Sequence, residues 1–239
     1  MVPVRVKLDV PVPVRCAYAV DVSLVAMCLF SRFVWNPSTL LNEMVSVYHE
    51  SSLPTWYSSV KLFVIAALIL AVAFSRAPGR AMLGKPLTYF GLVVLFMSMD
   101  EIAQVHERFS AWTDQFLPGS ERLLTPLPNS GLWPILVIPF LAVVVPLMIR
   151  LYKDQSLSRR AIRLLGTGLL ILLAGAVGLE LLANLFVYEG TLHLVENFIE
   201  ESLEMFGAST MLWGAIELYR SEGLPEAPSV RQAKASTSQ

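Results

Sequence analysis

Six stretches of about twenty mostly apolar residues recur along this 239-residue chain, at about 16–35, 58–76, 87–106, 131–150, 164–184 and 200–219. A helix of that length matches the roughly 30 Å hydrocarbon core of a bilayer at about 1.5 Å per residue. The runs are apolar all round rather than along one stripe, which separates them from the surface helices of a water-soluble domain. Charged residues make up only 15% and mean hydropathy is +0.59, whereas an average soluble domain carries about 25% charged residues. The expected fold is therefore an all-α polytopic membrane bundle of six transmembrane helices. A net charge of −1 offers no electrostatic basis for a nucleic-acid partner.

The basic residues orient the bundle. Arg5, Lys7 and Arg15 precede the first run, and Arg76, Arg80 and Lys85 precede the third. Arg150, Lys153, Arg159, Arg160 and Arg163 precede the fifth, and Arg220, Arg231 and Lys234 follow the sixth. These are fourteen of the 18 Lys and Arg, all on one side; Arg32, Lys61, Arg108 and Arg122 take the other. The positive-inside rule then places both termini in the cytoplasm, in what is expected to be a bacterial inner (cytoplasmic) membrane. Residues 1–15 read as a basic leader, 16–220 as the transmembrane domain, and the polar stretch 221–239 as a disordered tail. No small-x-small cleavage site follows the first run, so no secretory signal is expected. Trp35, Trp56, Tyr57, Trp133 and Tyr188 fall at the outer edge and Tyr89, Tyr152 and Tyr219 at the inner edge, as an aromatic belt requires.

Individual runs differ in character. The fourth holds three prolines and no ionisable residue, which predicts a kinked packing or lipid-facing helix. The fifth carries Gly166, Gly168, Gly175 and Gly178, which permit close helix approach, and a short loop predicts an antiparallel hairpin with the sixth. Cys16 and Cys28 share one predicted helix about 18 Å apart, too far to bridge. The outer connection 109–130 reads as an exposed loop.

Counting depth along each run puts six carboxylates in the outer third of the membrane. Asp100 and Glu101 lie about 20 Å up span 3, Glu180 about 24 Å up span 5, and Glu200, Glu201 and Glu204 about 22–28 Å up span 6. His106, Glu107, His193 and Glu196 line the rim above them, with His49 and Glu50 on the same side. In HLVENFIEESLE, His193, Glu196, Glu200 and Glu204 share one helical stripe. Arg32 and Lys61 sit at the same depth and offset two of these charges. Asp21 and Glu217 are expected near the cytoplasmic edge, snorkelling to water. Carboxylates in a bilayer are costly, about 2.5–3.5 kcal/mol each on insertion scales, so the layer is expected to hold a metal, a proton or ion-pair partners.

Mixed carboxylate and imidazole ligands suit a divalent metal, Fe, Mn or Zn. The expected ligand set is Asp100, Glu101, His106, Glu180, His193, Glu196, Glu200, Glu201 and Glu204, with Asp100, Glu101 and Glu204 catalytic. Asp100 and Glu107 share a helical face and His106 lies about 120° away, so Glu101 and His106 meet only if the helix end frays. The corresponding function is a metal-dependent membrane hydrolase or oxidoreductase acting on a lipid or amphiphile at the outer interface. Ser58, Ser59, Ser98 and Ser202 lack a nucleophile-elbow context and read as packing serines. The alternative is a proton- or cation-coupled transporter or sensor with protonatable carboxylates. Against transport stand an inner half almost free of ionisable groups and the lack of matching inverted halves.

Three stretches also carry a resemblance. They are Glu50 with Pro54-Thr55-Trp56-Tyr57-Ser58-Ser59, Ser98-Met99-Asp100-Glu101 with His106-Glu107, and Glu200-Glu201 with Glu204-Met205 and Gly207. Together they resemble a group of uncharacterised bacterial multi-pass membrane proteins over roughly residues 50 to 215. The resemblance implies a membrane location and a bacterial source, and no particular reaction.

Overall fold

The structure is a computed structural model, which describes residues 10–31, 43–46, 52–76, 85–105, 108–109, 133–179, 182 and 191–222, with side chains 133–136 and 191–194 excepted. The described residues are helical and contain no strand. In chain order the helices are α1 Val12–Phe30, α2 Leu53–Ser75, α3 Pro86–Ala103, α4 Trp133–Lys153, α5 Arg159–Leu173 and α6 Thr191–Ser221. A π-helical segment, Ala174–Leu179, extends α5. Four stretches, Val12–Phe30, Leu53–Ser75, Pro86–Ala103 and Arg159–Leu179, are long and apolar enough to cross a membrane.

Local chemistry explains where these helices begin. Proline occupies the first turn of α1, α2 and α3, where its missing N–H costs nothing. Ser52 caps α2 by accepting from the Thr55 N–H at 3.4 Å, and Ser158 caps α5 through Ala161 in the same way. Gln104 ends α3 in the left-handed conformation (φ 53°, ψ 43°), its N–H bonded to the Asp100 carbonyl at 2.7 Å.

Helix α6 is central, packed against α5, α2 and α1, while α3 lies on α2 and α4 on α3. The α5–α6 pair is the most intimate, confirming the expected hairpin partners. A Cβ on Gly207 would stand 2.6 Å from the Leu172 nitrogen and 2.8 Å from the Gly168 carbonyl. Gly168 and Gly214 meet opposing backbone as closely, so the two helices touch main chain to main chain. Gly175 continues the seam, whereas a Cβ on Gly166 would meet Met148 and one on Gly178 the Leu173 carbonyl at an ordinary 3.9 Å. Between α2 and α3 the contact is polar and reciprocal. Ser59 Oγ donates to the Ser98 carbonyl (2.7 Å) and Ser98 Oγ to the Ser59 carbonyl (2.8 Å). Ser202 bonds back to Phe198, so these three serines are structural, as expected.

Many large apolar side chains point outward, among them Phe63, Phe74, Ile138 and Leu170. Water would penalise that surface and lipid would not. The ends bearing the basic residues converge: Arg76 at the close of α2 donates to Ser156 of the α4–α5 turn and pairs with Glu222 after α6. Cys16 and Cys28 form no disulfide.

Candidate functional site

The most deeply buried charges in the described structure are Asp21 and Lys61, 0% and 4% exposed. Lys61 projects from α2, eight residues below its start, and donates from Nζ to three acceptors. These are Asp21 Oδ1 on α1 at 2.6 Å, the Met205 carbonyl on α6 at 2.8 Å and Ser209 Oγ, also on α6, at 3.1 Å. Ser209 in turn donates to Asp21 Oδ2 at 2.5 Å. The ring Lys61–Asp21–Ser209 is closed, and all three ammonium protons are placed. The Tyr57 ring lies 4.5 Å from Nζ as a cation–π partner, and its hydroxyl donates to the Ala17 carbonyl at 3.2 Å. Next to Ser209 on α6, Thr210 is hydrogen-bonded to Tyr18 of α1 at 2.7 Å.

This geometry corrects three expectations. Asp21 does not snorkel at an edge. Helix α1 begins at Val12 rather than near residue 16, so Asp21 stands about 14 Å along it, near mid-span. Lys61 is not chiefly the counter-ion of the carboxylate layer, because Asp21 takes its direct ion pair. Tyr57, expected in the outer aromatic belt, turns inward over Lys61, while Trp56 keeps the exposed belt position. Glu217 pairs with Arg160 at 3.7 Å, about a quarter exposed.

The carboxylates expected in the outer layer sit on the same side of this centre. Asp100, Glu101, Glu196, Glu200, Glu201 and Glu204 are all half-buried and each is engaged by neighbours. Glu101 lies near enough to act electrostatically on Lys61. Met205, whose carbonyl Lys61 holds, directly follows Glu204. Glu200 and Glu204 face the π-helical segment: a Cβ on Gly175 would approach the Glu200 carbonyl to 2.8 Å and Glu204 Cγ to 3.3 Å. The left-handed Gln104 breaks α3 between Glu101 and His106, so helical phase no longer fixes the angle between those two residues.

His106 and Glu180 lie outside the described residues, as do Arg32, His49, Glu50 and Glu107, and the side chain of His193 is likewise not described. Among the described residues no group of three or more His, Cys, Asp or Glu side chains is placed to hold a metal ion. The expected ligand set depends on residues beyond them. Sequence reasoning missed the Asp21–Ser209–Tyr57 half of the site. Its signal was a lone acid in one apolar run and a lone lysine in the next, nine and eight residues past the starts of their helices.

No curated protein and no solved structure matches this chain. The family described as a domain of unknown function (DUF8692) matches residues 17–217, a span that takes in α1 to most of α6 and every residue of the buried centre. The chain belongs to the DUF8692 family.

Proposed function

We propose that this is a six-span protein of the bacterial cytoplasmic membrane, both termini cytoplasmic, that couples proton or cation movement to rearrangement of its helices. The observation that carries this reading is the Lys61–Asp21–Ser209 ring, buried at mid-span and assembled from α1, α2 and α6. Desolvating each ion costs several kcal/mol, and apolar residues of similar volume would pack at least as stably. Charge retained in such a place is a site for moving charge.

The coupling follows from the contacts. A proton or cation reaching the α3 and α6 carboxylates changes the field that Glu101 exerts on Lys61. Lys61 then shifts between Asp21 and the α6 carbonyl beside Glu204, loosening or tightening α1 against α6. Vesicles containing the purified protein should show proton or cation flux down an imposed gradient, and Glu204→Gln should reduce it at least tenfold. Flux no greater than in empty vesicles would refute the reading.

A second reading, a metal-dependent enzyme acting on a lipid or amphiphile, rests on the π-helical segment that packs on Glu200 and Glu204 and leads to position 180. Such segments are frequent at functional sites. Asp100, Glu101 and Glu204 would activate a water held by Fe, Mn or Zn. Stoichiometric metal in the purified protein, with thermal stability lost on chelation, would favour this reading; protein that is metal-free as purified and binds none of the three when they are added would dismiss it.

A further inference from the structure

Between α3 and α4, away from the charged centre, runs an open groove of about 550 Å³. Its walls are apolar, with Phe96 on α3 and Phe140, Val143 and Leu147 on α4; Tyr89 and Arg150 stand together at one end. Pro146 also lines it. Pro139 and Pro146 lie inside α4, where each removes a backbone hydrogen bond. The volume falls within the usual range for a small-molecule site.

The polar residues are confined to the end that carries the basic loops. Tyr89 is in the first turn of α3, and Arg150 and Lys153 close α4. From Tyr89 to Phe96 the groove runs about 10 Å into the apolar layer. An apolar channel along the membrane normal, with a guanidinium and a phenol at the headgroup level, matches a lipid's chain and phosphate in the right order. Arginine holds phosphate through a planar fork of donors, and the additional charge of Lys153 favours a headgroup with net negative charge.

We propose that this groove binds an anionic phospholipid of the leaflet facing the basic loops, one acyl chain between α3 and α4 and the phosphate on Arg150 and Tyr89. The site is independent of the proton- or cation-handling centre and survives if that reading fails.

The test places the full chain in nanodiscs of phosphatidylcholine containing one-fifth phosphatidylglycerol, then counts lipids retained on the protein by native mass spectrometry after gentle detergent extraction. Wild type should retain phosphatidylglycerol several-fold over its share of the bilayer. Arg150→Gln should lose that preference, and Val143→Trp, at a half-exposed position on the wall, should lose the retained lipid. A preference unchanged by Arg150→Gln, retention unchanged by Val143→Trp, or a dimer without retained lipid would overturn the proposal. The last outcome would assign the face to a second copy of the chain.

Discussion

Asp21 and Lys61 are held by a division of labour among their neighbours. Asp21 spends one oxygen on Lys61 and the other on Ser209, while Lys61 also reaches a main-chain carbonyl of α6. Removing one member strands the other in a medium that cannot solvate it. Asp21→Leu or Lys61→Met alone should therefore cost about 3–5 kcal/mol, whereas the double variant should return close to wild-type stability. Thermal unfolding in detergent reads this; equal and additive losses would show that the two charges are not coupled. At the polar periphery, Ser156 donates from its hydroxyl (2.6 Å) and its N–H (2.9 Å) to Asp154, holding that carboxyl below the ordinary aspartate value of 3.8. A depressed folded-state value stabilises above the ordinary range and is lost as pH falls through it. Asp154→Asn should thus melt slightly below wild type at pH 7, with the gap narrowing as pH falls below 3.8. A gap that does not narrow on acidification below that value would contradict this.

Helix against helix, the bundle depends on residues with almost no side chain. At the α5–α6 seam, Gly207→Ala would drive a methyl into backbone atoms at 2.6 and 2.8 Å, and backbone cannot step aside as a flexible side chain can. A loss of about 1–3 kcal/mol is expected, against little change for Gly178→Ala, whose nearest neighbour among the described residues is 3.9 Å away. Comparing the two melting temperatures tests the seam. The reciprocal Ser59–Ser98 bonds should be worth about 1 kcal/mol each, the scale of hydrogen bonds inside membrane bundles. Much of this scale was legible in the sequence. Run length, the glycines of span 5 and the short link to span 6 all pointed to the α5–α6 pair. What escaped was register between helices. Starting α1 four residues early moves Asp21 about 6 Å deeper, enough to turn an edge residue into the partner of Lys61. Likewise Gln104 is an unusual residue for a left-handed cap, and nothing in its neighbourhood announces that α3 stops there. The carboxylates were found because six acids beside apolar runs are conspicuous; which of them meet depends on rotations the sequence does not encode locally.

Across the whole molecule, the α2 and α6 ends and the α4–α5 turn are tied at the basic end by Arg76, Ser156 and Glu222, while the charged centre ties α1, α2 and α6 at mid-span. Among the described residues α1 packs chiefly on α6, so under the proposed function a change of charge at Lys61 or Asp21 is expected to move α1 against α6. Orientation is testable separately: reporters fused after residues 45 and 120 should sit outside the cytoplasm and those after 82 and 156 within it, and inversion at two of these sites would reverse the topology.

Under the proposed function the Asp21–Lys61 pair moves charge, rather than merely holding α1 in place. Flux through vesicles carrying the Asp21→Leu/Lys61→Met double variant separates the two roles, because that variant should fold as stably as wild type. A correctly folded double variant should pass no protons or cations beyond the level of empty vesicles, while wild type does. A double variant that conducts as wild type does would contradict it and leave the pair a structural tie.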